Sequence, residues 1–309
     1  MRRRLWQTSP ELIATAALML PVLAGAIAGL VVDPTVITGA PAWLKPAKFA
    51  VSIAIYTVTL AWVFTFIPAW TRTRRVIGWA TTMTMVLEMA LIGGQAWRGT
   101  TSHFNVATPV NAVLFAIMGL AIFVQTLSTI AVAVALFRTR FDDRALGWAL
   151  RLGMSLTIVG ALTGGLMTRP TAAQLDAARA GERMTIAGAH TVGAPDGGPG
   201  LPGTGWSTQH GDLRVPHFVG LHAMQALPII ALILSHGRLR PVTRERLLLV
   251  AAASYAALYV ILLMQALGGI PLVASEASTM LGSWAAATAM AAGVAVFGGA
   301  GAAQHRFEL

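Results

Sequence analysis

The chain has 309 residues, 56% of them apolar and only 11% charged, with a mean hydropathy of +0.68. Soluble domains carry about 25% charged residues, so this composition excludes a water-soluble globule. The net charge of +10 would suit nucleic acid, but the arginines flank apolar runs, where membrane topology places them. With no cysteine there are no disulfides, thiolate metal sites or CxxCH haem attachment.

Eight apolar runs follow in chain order, at about 11–32, 47–67, 76–95, 109–137, 146–168, 216–235, 247–267 and 279–299. Each approaches the roughly 20 residues needed to cross a hydrocarbon core of about 30 Å. None alternates like a strand, and backbone groups in lipid must bond within their own segment. The expected fold is an all-α polytopic bundle, a single membrane domain over 1–309.

The first run follows Arg2, Arg3 and Arg4 and is read as a retained helix rather than a cleaved leader. Those three, the arginines after runs 2, 4, 6 and 8, and Arg151 put fifteen of the 22 basic residues on one side. The positive-inside rule then places both termini in the cytoplasm of a bacterial inner membrane. His236 and His305 fall in those basic stretches and read as parts of a solvated face.

Run 2 opens with "LKPAKF", and Lys45 and Lys48 are the only lysines of the chain. A helix start favours anions through its free N–H groups and dipole, so the pair reads as an anion clamp or as snorkelling side chains. Run 3 carries Glu88 in "TMVLEMALIGGQ". A charge at bilayer depth costs about 2.5–3.5 kcal/mol, so Glu88 is expected to be protonated or paired. Gln95, Arg98, His103 and Asn105 continue outward from it as one wet stripe, whereas Gln125 in run 4 reads as packing glue.

Residues 169–215 form a long outer loop, with a short surface helix expected in "TAAQLDAARAGERM" and an ordered Gly/Pro-rich lid after it. His190, Asp212 and Arg214 lie in this loop, and His217, His222 and Gln225 follow at the mouth of run 6. On an unbroken helix His217 and His222 stand about 140° apart. That is too far for adjacent ligands, but it allows them to flank a site.

The chain also reads as a duplication, with halves 1–145 and 146–309. "GLVVDPT" (29–35) matches "GLMTRPT" (165–171), and "LKPAKF" (44–49) matches "LRVPHF" (213–218). Gly25/Gly29 and Gly160/Gly164 place a GxxxG in the first helix of each half, where helices can approach closely.

The block "GAHTVGAPDGGPGLPGTGWSTQHGDLRVPHFVGLHAMQALP", with "AWLKPAKFAVSIAIY" and "GQAWRGTTSHFNVATP", resembles a family of uncharacterised bacterial multi-pass membrane proteins over nearly the whole chain. That resemblance implies topology and no activity. The four-plus-four plan also resembles haem A synthases. Those carry ligating histidines on several membrane helices, whereas here only run 6 has any near the outer face.

Three functions stay open beside a structural or assembly role without chemistry. In the first, His103, His190, His217 and His222 hold a transition metal or haem for redox chemistry, with Asp212 or Glu88 orienting an imidazole. In the second, the chain is a small-molecule permease with Glu88 as its coupling acid. In the third, Glu88 and His222 act as general acid and base on an outer-leaflet lipid, while Lys45, Lys48, Arg98, Arg214, Gln95, Asn105, Asp212 and Gln225 bind the headgroup. The partners implied are the bilayer and a small-molecule or lipid substrate.

Overall fold

The computed structural model describes residues 2–304, with side chains for 5–296. Arg2–Arg4, His305 and Arg306 therefore fall outside the described side chains. A short helix α1 (Arg2–Thr8) leads into α2 (Pro10–Val32), which begins with Pro at its first position, where a missing N–H is tolerated. A hairpin, β1 (Val36–Ile37) with β2 (Ala40–Pro41), then turns the chain into α3 (Leu44–Phe64). The helices α4 (Thr71–Trp97) and α5 (Pro109–Arg138) complete the first half. Thr108 caps α5 by accepting the Asn111 amide at 3.2 Å, and Asp143 caps α6 (Arg144–Met167) by accepting Leu146 N–H at 3.1 Å.

The long loop is ordered. It contains α7 (Ala172–Arg179), closed by a Thr171/Gln174 capping box, in the stretch expected to hold a surface helix. A second hairpin pairs β3 (Thr191–Val192) with β4 (Gly211–Asp212). Then come α8 (Arg214–Leu221), α9 (Ala223–His236), α10 (Pro241–Leu267) and α11 (Ser275–Gln304).

Seven of these helices are long and apolar enough to cross a membrane, and α8 with α9, bent by 46° at His222, brings the number to eight where the pair counts as one span. The fold is thus an all-α polytopic bundle. At 1.5 Å per residue, the 23 residues of α2 reach about 35 Å. The expected sixth run is bent at His222, so the 140° between His217 and His222 on a continuous helix does not apply.

The break is supported by α6. Thr157 accepts the Met224 N–H at 3.1 Å, and its hydroxyl lies 3.3 Å from the Leu221 carbonyl, so backbone groups freed by the bend find a partner. Gly160 and Gly220 touch backbone to backbone; a Cβ on Gly160 would sit 2.5 Å from the Gly220 carbonyl carbon. In the first half, the matching close approach is between Gly29 and the Trp43 indole, while Gly25 has open space around it. Only one GxxxG, that of α6, therefore serves helix packing along its whole length.

The largest apolar cluster fills the bundle toward its arginine-rich end. Leu12, Leu60, Phe64, Val132, Leu136 and Met154 are each at most 1% exposed there, and Met224 of α9 joins them. A second cluster, including Met19, Ile53, Met89 and Met118, underlies the opposite, loop-covered end of the first half. Helix α11 lies at the edge against α10, where Trp284 Nε1 donates to the Ser254 carbonyl at 2.8 Å.

Candidate functional site at the loop-covered end

Glu88 sits in α4, nine residues before the helix ends, and is 1% exposed. Neither carboxyl oxygen has a hydrogen-bond partner. Unpartnered buried acceptors are costly, and native proteins keep few of them. The nearest polar group is His103 Nε2, 3.6 Å from Glu88 Oε1.

His103 lies on the loop between α4 and α5, enclosed by Phe49, Phe104 and Phe115, with ring centroids 6.1–6.5 Å away. Burial, with the Lys45 charge beside it, holds its pKa well below the ordinary histidine value, so the ring is neutral. Lys45 Nζ and Ser102 Oγ lie 3.0 and 3.1 Å from His103 Nδ1. Nδ1 is thus engaged on the lysine side, and Nε2 is the ring nitrogen turned to Glu88. Lys45, His103 and Glu88 form a line of three titratable groups running from the first turn of α3 into the bundle.

His190 closes over this line from the long loop, its ring 4.9 Å from that of Phe104. Asp196 accepts from His190 Nδ1 at 2.6 Å and from the His190 and Thr191 amides at 3.0 and 2.9 Å. Burial works against the Asp196 carboxylate, but these bonds outweigh it and hold its pKa below the usual aspartate range. Burial likewise lowers the pKa of His190, although Asp196 opposes this. With Nδ1–H committed to Asp196, His190 Nε2 is left as the free acceptor.

Two further cations complete the group. Lys45 interacts electrostatically with Glu88, Lys48, Arg214 and Asp196. Arg214 grips the buried Asp212 with two nitrogens and donates to the Gly205 carbonyl at 2.6 Å. Lys48 donates to the Thr204 carbonyl at 2.8 Å. Among the described residues neither lysine forms an ion pair with a carboxylate. The loop is held down across both halves, as Ala187 N–H donates to Phe104 O at 2.8 Å and Ala189 N–H to Met167 O at 3.0 Å.

The other expected residues divide into frame and outliers. Gln95, Arg98 and Asn111 form a closed network, in which Arg98 donates to the Gln95 and Asn111 side-chain oxygens at 2.5 and 3.1 Å. Asn105 donates to Thr100 Oγ1 at 2.9 Å and to the Thr101 carbonyl at 3.1 Å, which shapes the loop that carries His103. His217 turns its Nδ1 to the Gly160 carbonyl at 2.7 Å, with its ring against Gly164. His222 stacks on Phe218 at 4.2 Å, while Gln225 donates to Thr59 Oγ1 at 3.3 Å, so both belong to the helix break rather than to the Glu88 group. Gln125 ties three helices together, as polar glue does: from α5 it joins Thr84 of α4 and Tyr56 of α3 in a buried network, with Tyr56 Oη 2.6 Å from its Nε2.

The metal reading finds no support in the geometry. Among the described residues no three His, Asp or Glu side chains stand close enough to share an ion. His103 meets a lysine, His217 a carbonyl, and His222 a phenyl ring. The imidazole that is oriented by a carboxylate is His190, and its partner is Asp196, not Asp212 or Glu88. Sequence reading missed that role for Asp196; the only signal was an acid six residues after a histidine in a glycine-rich loop. No protein-family model, curated protein or solved structure matches this chain.

Proposed function

We propose that this polytopic membrane protein carries a metal-free acid–base site that binds an anionic group at the loop-covered end and moves protons on it. One observation carries this reading: Glu88, buried with no hydrogen bond to either oxygen, faces Nε2 of His103, whose Nδ1 is held by Lys45, beside the His190–Asp196 pair. Lys45 and Lys48, which form no ion pair with a carboxylate among the described residues, receive the anion. His190 Nε2 takes a proton from the bound group, and Glu88 exchanges one through its free oxygens.

Against a permease reading stands the apolar cluster of Leu60, Phe64, Val132 and Leu136, which packs α3 against α5 toward the arginine-rich end, inward of the buried Thr84–Gln125–Tyr56 network. By the positive-inside bias we place that end in the cytoplasm of a bacterial inner membrane, and the loop outside. We also read the halves 1–145 and 146–309 as a duplication, because Lys45 and Arg214 stand at equivalent places of the two matched hexapeptides and bring one cation from each half to the site.

Calorimetric titration with glycerol 3-phosphate, in two buffers of different ionisation enthalpy, tests the reading. The expected result is binding coupled to proton exchange in the wild type, with the proton exchange lost in Glu88→Gln and the binding weakened in Lys45→Met. No binding, or binding with no proton exchange in the wild type, overturns it.

A further inference from the structure

The helices α3 and α8–α9 do not pack along their lengths; α3 packs on α2 and α4, and α8–α9 on α6 and α10. Each presents a stripe to the gap between them. On α3 the stripe is Lys48, Ser52, Ile55 and Thr59, spaced as one helical face. On α8–α9 it is Arg214, Phe218, His222 and Gln225, re-aimed by the 46° bend.

Each stripe begins with a cation at the loop-covered end. At the other end the two are tied together by Gln225 Nε2 donating to Thr59 Oγ1 at 3.3 Å. Residues Thr204 to Trp206 roof the top: Lys48 donates to Thr204 O, Arg214 to Gly205 O, and Trp206 meets the Phe218 ring at 5.6 Å.

The gap is open to the bilayer. Phe218 is 47% and Ile55 44% exposed, and Ser52 is exposed beside them. Polar side chains are rare on a lipid-facing surface, yet Ser52, Thr59, His222 and Gln225 all line this one. By contrast, α5 shows lipid Val113, Leu120, Leu127 and Val134. Eleven residues from Lys48 to Thr59 span about 16 Å at 1.5 Å each, close to half of a 30 Å hydrocarbon core. The groove is one leaflet deep.

We infer that this groove holds an anionic membrane lipid, its headgroup under the 204–206 roof between Lys48 and Arg214 and one acyl chain along Ile55 and Phe218. Charge complementarity chooses the occupant: two cations, Lys48 and Arg214, meet at this end with Asp212 the one acid between them, and among the described residues Lys48 forms no ion pair with a carboxylate. The inference deepens the function proposed above by naming the carrier of the anionic group, and it rests on that reading for the chemistry at Glu88.

Photolabelling tests it. Phosphatidylglycerol with a diazirine on one acyl chain is added to the full-length protein in phosphatidylcholine nanodiscs, and labelled peptides are mapped. Labels should concentrate on 52–59 and 218–229. Ser52→Trp, a lipid-facing change that leaves thermal unfolding unaltered, should cut them about tenfold, the change that 1.4 kcal/mol of binding brings. Lys48→Gln should erase the preference over a phosphatidylcholine probe.

Equal labelling of α5 and the groove, equal labelling by phosphatidylcholine, or glycerol 3-phosphate competing as well as the whole lipid would each overturn the inference. The last would assign the site to a free anion. Glu88→Gln should keep the labelling, so loss of proton exchange there with labels intact faults only the chemistry.

Discussion

Replacing Asp196 by asparagine tests how the loop holds its histidine. The carboxylate receives three N–H donors, at 2.6, 2.9 and 3.0 Å. Hydrogen bonds to a charged group contribute about 1.5–3 kcal/mol each and neutral ones about 0.5–1.5. Asparagine keeps its oxygen on the two backbone amides but turns an NH₂ to His190 Nδ1, which must then become an acceptor. Weakening two bonds and inverting the third gives a local loss of about 3 kcal/mol, roughly a hundredfold rise in the open loop population.

Hydrogen exchange of amides 188–197 reads the opening, and ¹⁵N shifts of His190 read the tautomer, expected to move its proton from Nδ1 to Nε2. Because the folded-state pKa of Asp196 is depressed, its stabilisation is present above the ordinary aspartate pKa and fades as pH falls toward the folded value. The gap between wild type and variant should be constant from neutral pH to about pH 4 and shrink below it. Unchanged exchange with the proton still on Nδ1 would refute the reasoning.

Three other outcomes follow from the same physics. Glu88→Leu should raise thermal stability, by about 1–3 kcal/mol, because both carboxyl oxygens are buried without partners, while abolishing proton-coupled binding; a drop in melting temperature would mean that Glu88 has a structural partner. Gly160→Ala should destabilise by about 1–3 kcal/mol through overpacking against Gly220 and Leu221, seen in chemical denaturation, whereas Gly25→Ala should be neutral. His103, with its folded-state pKa depressed, binds fewer protons folded than unfolded below its ordinary value, so stability should fall on acidification below about pH 6.5, by up to about 1.4 kcal/mol per pH unit. His103→Asn should flatten that slope, and an equally steep fall in the variant would show that the histidine is not its source.

Much of the bundle was legible because length and apolarity decide what spans a membrane. The eight runs correspond to seven long helices and the α8–α9 pair. The break at His222 was hidden, since residues 216–235 read as one greasy segment and the partner for the freed backbone, Thr157, comes from another helix.

At the site, the wet stripe from Glu88 to His103 was visible from its spacing along α4, and the two lysines from their place at a helix start. The pairing of His190 with Asp196 follows from loop closure, which has no period to read. The metal expectation arose from counting imidazoles. Their partners, which are a lysine, a carbonyl and a ring face, depend on tertiary contacts that a count does not carry.

Infrared difference spectroscopy on oriented proteoliposomes, with the pH stepped on one side at a time, probes the central claim most directly. The carboxyl band that disappears in Glu88→Gln should respond to a step on the side of residues 169–215, and weaken in Lys45→Met and His103→Asn. A response to the arginine-rich side, or no carboxyl band assignable to Glu88 at all, would contradict the account.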